Sequence, residues 1–154
     1  MRQALHVFAV LMAFAATPAG AVVVRGCEDG SNTAAVTNIV EPWEKNSKTF
    51  YNGQVRVALL DTGGEPACCS LHLLIMSPGI AKDEPAYQDC HVVSDHANLG
   101  FGDIVFEKMT ASYDPKKGLL IAFPYVVSGG DGEQHPGVAK LRLNLARGTL
   151  AVEK

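Results

Sequence analysis

Apolar and polar residues alternate in short runs through most of the chain, and a period of two predicts strands. Val55, Val57 and Leu59 share one face of a strand over 54–61, which Thr62-Gly63-Gly64-Glu65-Pro66 ends. Over 67–77 the odd positions Cys69, Leu71, Leu73 and Ile75 are all apolar. The even positions Cys68, Ser70 and His72 are mixed before Leu74 and Met76, so the odd face is the core face. A polar loop at 78–89 leads to a short strand at 90–95 and a Gly-containing connector at 96–103. Strands at 104–113 and 119–127 flank Asp114-Pro115-Lys116-Lys117-Gly118, where Pro and Gly suit a type I turn with a bulge. Leu119, Ile121, Phe123, Tyr125 and Val127 form the buried face of the second. Pro124 lies on its other face and lacks an amide donor, which predicts an edge strand or a bulge. Residues 128–137 read as a flexible Gly-rich loop. Strands at 138–145 and 150–152 close the chain around Ala146-Arg147-Gly148.

Toward the N-terminus the pattern weakens. Residues 22–41 read as a loose arm or a first strand. Pro42 can open a helix that Gly53 closes, but Asn52-Gly53 is also a two-residue hairpin signal, and the two exclude each other at 47–51. One helical turn at 42–46, near Trp43, followed by a strand at 48–51 satisfies both. The fold class that follows is all-β, an antiparallel sandwich or barrel of about seven or eight short strands. Its core faces are Val55/Val57/Leu59, Leu71/Leu73/Ile75, Leu119/Ile121/Phe123 and Leu141/Leu143.

Composition narrows the function classes. The 154 residues carry 13 Lys+Arg against 16 Asp+Glu, a formal net charge of −3, with no basic run to meet nucleic-acid phosphates. Apolar residues make up 47%, too many for a disordered chain. The basic Met1-Arg2-Gln3, the apolar run from Ala4 to Ala16 and the small residues Ala19-Gly20-Ala21 have the layout of a secretory signal peptide. Cleavage after Ala21 leaves one β domain over 22–154, periplasmic or secreted, with no membrane anchor. Gly26-Cys27 fits a lipoprotein acylation site, but Arg25 and the distance from the apolar run count against it.

Exported cysteines are usually oxidised, and Cys27, Cys68, Cys69 and Cys90 allow three pairings. If 54–61, 67–77 and 90–95 run as consecutive antiparallel strands, Cys90 lies roughly 25 Å from Cys69, too far to bridge. Cys27 on the arm is then its partner, closing a loop worth about 4 kcal/mol. A crossover loop would instead let Cys68 or Cys69 reach Cys90. In a regular strand the Cys68 and Cys69 side chains point to opposite faces, and a vicinal disulfide requires a distorted one. A copper or zinc site from Cys68, His72 and Cys69 needs a bend, because four residues of strand span about 13 Å. No metal site and no cofactor is expected.

Leu59-Leu60-Asp61-Thr62-Gly63 resembles the catalytic turn of retroviral-type aspartic proteases, which implies a homodimer with two Asp61 side chains sharing a proton. The same residues also fit a strand end capped by Asp61 before a Gly-Gly turn. His91, His96 and His135 read as surface histidines. The segment Ser128-Gly129-Gly130-Asp131-Gly132-Glu133-Gln134-His135 is anionic and Gly-rich. A small exported β-protein with such a loop is similar in general plan to periplasmic lysozyme inhibitors, which implies binding through Ser128, Asp131, Glu133 and His135. Phe50-Tyr51-Asn52-Gly53, Asp61-Thr62-Gly63-Gly64-Glu65-Pro66-Ala67-Cys68-Cys69-Ser70, His72-Leu73-Leu74 and Tyr113-Asp114-Pro115 resemble uncharacterised secreted proteins of alphaproteobacteria. That resemblance implies export and a small β domain, with no activity attached. The expectation for function is a binding protein with a protein partner in the cell envelope, and the enzyme question leans to no.

Overall fold

The computed structural model describes residues 22–63, 68–80, 88–129 and 132–154. The expected signal peptide at 1–21, the Gly64–Ala67 part of the first turn, the 81–87 part of the polar loop and Asp131 lie outside the described residues.

The alternating segments pair into two antiparallel sheets. In the first, β1 (Val23–Gly26) lies beside β5 (Gln88–Ser94), followed by β4 (Leu71–Pro78), β3 (Val55–Asp61) and the edge strand β2 (Ser47–Phe50). In the second, β10 (Thr149–Val152) pairs with β9 (Gln134–Asn144) and β9 with β8 (Gly118–Ser128). The far side of β8 is shared by β6 (Asp103–Ile104) and β7 (Thr110–Asp114). One helical turn, α1 (Trp43–Asn46), precedes β2. The inner faces meet as a sandwich. Val55, Val57, Leu59, Leu73, Ile75 and Val93 of the first sheet pack on Leu119, Ile121, Phe123, Leu141 and Leu143 of the second. Phe101, Ile104, Phe106 and Met109 join the same core. The period-two faces expected for these strands are the observed core faces, with Leu71, Tyr125 and Val127 half-buried at the margin.

Several boundaries differ from expectation, each for a local reason. Ten strands appear among the described residues because the arm contributes β1 and because 104–113 is not one strand. It breaks at Val105 into a 3-10 turn over 106–108 that buries Phe106. Pro124 stands opposite that break. Its carbonyl accepts from the Val105 amide at 3.0 Å, so its missing N–H points to the same gap. The proline therefore marks the change of neighbour from β6 to β7, and β8 is an interior strand, not an edge.

The 128–137 loop is also shorter than expected. Strands β8 and β9 stay paired out to Ser128 opposite Gln134. The Tyr125 ring lies over Gly137, where a Cβ would come within 2.6 Å of it, so glycine here serves packing rather than flexibility. The β2–β3 connection is a four-residue turn, with Tyr51, Asn52 and Gly53 at φ of 52°, 55° and 80°. The Asp114 turn behaves as expected, its Oδ1 accepting from the Lys116 and Lys117 amides at 2.7 and 2.9 Å.

Candidate functional site

The first sheet is buried on both faces. Leu60, His72, Leu74, Val92 and Ser94 point away from the sandwich core and are nonetheless covered. The N-terminal arm lies over the Leu60 and His72 part of this face. It leaves β1 at one edge of the sheet and reaches the end of β3 beyond its pairing with β2, where Ile39 bridges to Leu60 and the Val40 amide donates to Leu59 O at 3.0 Å. The crossing starts at the Cys27–Cys90 disulfide, which extends the β1–β5 register by one pair and is reinforced by Cys27 N–H donating to Cys90 O at 3.1 Å. The arm is set by its own polar side chains. Asp29 Oδ1 accepts from the Ser31 amide at 2.8 Å, and Asn38 Nδ2 donates to Asn32 O and Thr33 O at 2.9 and 3.1 Å.

Between arm and sheet lies a cleft of about 400 Å³, lined by Arg25, Ser31, Asn32, Thr33, Asn38, Thr62, His72, Ala97 and Asn98. Only Ala97 among these lacks a hydrogen-bonding side chain. Arg25 Nη1 pairs with Asp29 Oδ2, and its Nη2 donates to Ser94 Oγ at 3.2 Å. His72 Nδ1 lies 2.8 Å from the same hydroxyl. The Ser94 hydroxyl thus joins Arg25 to His72, accepting from the guanidinium and sharing its second hydrogen bond with the imidazole Nδ1. Burial holds the His72 pKa below the ordinary histidine value, and the nearby Arg25 charge adds to that shift while Asp61 opposes it. The Asp29 carboxyl is held low as well, chiefly by hydrogen bonds from Ser31 and then by Arg25. The wall is therefore dense in donors and acceptors while its one charged pair is internally compensated.

The other cysteines precede β4, in a segment bonded to Thr62 and Gly100. Cys68 and Cys69 form a vicinal disulfide with Cα atoms 3.7 Å apart. The distortion such a ring demands is present. Cys69 has φ of 73°, a conformation costing a non-glycine residue roughly 1–2 kcal/mol, and the strand expected from residue 67 begins at Leu71. With both sulfurs in a disulfide and His72 bonded to Ser94, the Cys68/His72/Cys69 metal reading has no thiolate to offer. Among the described residues, no group of three His, Cys, Asp or Glu is placed to hold a metal ion.

The remaining sequence candidates lie elsewhere. Asp61 is exposed and its Oδ1 accepts from the Gly63 amide at 2.9 Å, the capped-turn geometry. Ser128 ends β8 and His135 sits in β9 opposite Val127. Glu133 occupies the hairpin tip, its carbonyl accepting from Gly129 N–H at 2.7 Å. None of these lines the cleft. His96 is exposed and bonded to Asp95 at 2.7 Å, whereas His91 is half-buried, with Nε2 lacking a partner. Arg25, Ser94, Asn38 and Asn98 escaped the sequence analysis, and their one legible signal was Arg25 four residues before Asp29. No protein-family model matches the chain, and no curated protein or solved structure is detectably similar to it.

Proposed function

We propose that this chain is an exported binding domain that takes a small, neutral, hydrogen-bonding ligand in the cleft beneath its N-terminal arm. The observation that carries this reading is the wall itself. It offers side-chain donors and acceptors on almost every lining residue, around a volume within the usual range for small-ligand sites. Arg25 is already neutralised by Asp29 and His72 is kept uncharged, so the chemistry favoured is hydroxyl and amide rather than a free anion. An N-acetylated amino sugar presents both groups at suitable size. Two disulfides are compatible with an oxidising compartment, which supports the periplasmic or secreted setting that residues 1–21 suggest.

The lining residues include no Phe, Tyr or Trp ring to stack on a sugar face, so affinity rests on directional hydrogen bonds and belongs in the millimolar range. Saturation-transfer NMR with N-acetylglucosamine, glucose and acetate as separate probes tests this. The reading expects transfer to N-acetylglucosamine, less to glucose and none to acetate. Transfer to acetate alone would replace the neutral-ligand reading with an anion site at Arg25. No transfer to any probe would remove the support for a small-ligand cleft.

A further inference from the structure

The vicinal disulfide stands at a mechanically sensitive place. The 69–71 segment is tied to both walls of the cleft. On one side, Ser70 O accepts from Thr62 N–H at 3.1 Å and from Thr62 Oγ1 at 3.3 Å. On the other, Cys69 O accepts from Gly100 N–H at 2.7 Å, and Leu71 and Phe101 exchange backbone bonds at 2.7 and 3.3 Å. Thr62 lines the cleft, and Gly100 follows the His96–Leu99 bridge that carries the lining residues Ala97 and Asn98. The fit at the crossing is close. A Cβ on Gly100 would stand 2.5 Å from Leu71 O and 2.6 Å from Cys69 O. Cys68 is exposed while Cys69 is buried.

We propose that Cys68–Cys69 is a site of thiol–disulfide exchange with a dithiol reductant, and that its opening loosens both walls of the cleft. A thiolate of the dithiol attacks the Cys68 sulfur, forming a mixed disulfide, while Cys69 leaves with the electron pair and takes a proton. The second thiol of the reductant then displaces Cys68, which is protonated in turn. The reductant ends as a disulfide and the vicinal pair as two thiols. Selectivity over Cys27–Cys90 follows from placement. That bridge is half-buried where the arm begins its crossing, and the β1–β5 ladder with the Cys27 N–H to Cys90 O bond holds its two ends in place, so an opened bridge recloses. The vicinal ring spans one peptide bond, and opening it frees Cys69 to leave its positive φ. The exchange does not depend on what the cleft binds.

The test is a dithiothreitol titration of the oxidised protein. Iodoacetamide labelling locates the thiols, and amide hydrogen exchange is read at Thr62 and Gly100. The expected result is labelling of Cys68 and Cys69 at reductant concentrations that leave Cys27–Cys90 closed, with exchange at both amides accelerated at least about tenfold. The Val93 amide in the sheet interior should be unchanged. Cys68→Ser with Cys69→Ser should reproduce the fast exchange. Cys68→Ser with Cys69→Gly, which accepts positive φ without a ring, should keep the Gly100 amide protected. Opening of Cys27–Cys90 first or together with the vicinal pair would overturn the proposal. Unaltered protection of Thr62 and Gly100 in the selectively reduced protein would overturn it equally, and both readings use the unmutated chain.

Discussion

His72 is an ionisable side chain kept neutral by its surroundings, and that gives the fold a pH dependence of definite sign. In the unfolded chain its ring takes up a proton below about pH 6.5. In the folded protein, burial and then Arg25 hold its pKa lower. Its contribution is therefore complete above about pH 6.5 and is lost as pH falls toward the folded pKa, because the unfolded state then binds more protons. Denaturant unfolding of wild type and His72→Gln at pH 7 and pH 5 checks this. The wild-type advantage should shrink on acidification, and an advantage that grows or stays constant would contradict the assignment. Ser94 is the shared partner of Arg25 and His72. Ser94→Ala should cost about 1–3 kcal/mol in the same measurement, because it leaves the buried His72 Nδ1 without its partner and removes one of the Arg25 hydrogen bonds. Little at this scale was legible in the sequence. His72 stood on the mixed, even face opposite the expected core face, and the arm beside it, whose polar residues carry no periodic signal, gave no hint that it is buried.

Among the elements, the strands read well and their interruptions did not. Period-two alternation specifies a face wherever one side is buried, which is why Val55/Val57/Leu59 and Leu119/Ile121/Phe123 came out correctly. Pro124 was informative about a missing donor, but only the neighbouring chain shows that the gap lies between β6 and β7. Glycines misled for the opposite reason, since Gly137 reads as loop and in fact admits the Tyr125 ring beside a continuous ladder. Gly100 is more constrained still, because the atoms a Cβ would meet are backbone. Gly100→Ala should cost about 2–3 kcal/mol by thermal or denaturant unfolding and should expose the Gly100–Phe101 amides to exchange. The β8–β9 tip should behave in the opposite way. Replacing 129–133 by a two-residue turn should change stability by less than about 1 kcal/mol and leave cleft binding intact, since the ladder ends at Ser128 and Gln134.

For the molecule as a whole, the all-β antiparallel class followed from the strand spacing with sandwich and barrel both open, and the Cys27–Cys90 bridge followed on a condition that β3, β4 and β5 meet, because consecutive antiparallel strands leave Cys90 far from Cys68 and Cys69. The bridge staples the arm that forms the cleft roof. Cys27→Ser combined with Cys90→Ser should lower stability by about 4 kcal/mol, roughly 10 °C in Tm, with loss of amide protection along 27–40. A loss confined to the β5 end with the arm still protected would contradict the arm's dependence on the bridge. The cleft was not legible because it arises between an irregular arm and a sheet face, and neither announces the other in sequence. Titration of the isotope-labelled protein with N-acetylglucosamine, followed through its side-chain amide resonances, reads occupancy of the cleft residue by residue. Saturable shifts at Asn32, Asn38 and Asn98 are expected, with the hairpin-tip amides unmoved. Shifts confined to residues 129–135, or none up to high millimolar sugar, would contradict cleft binding.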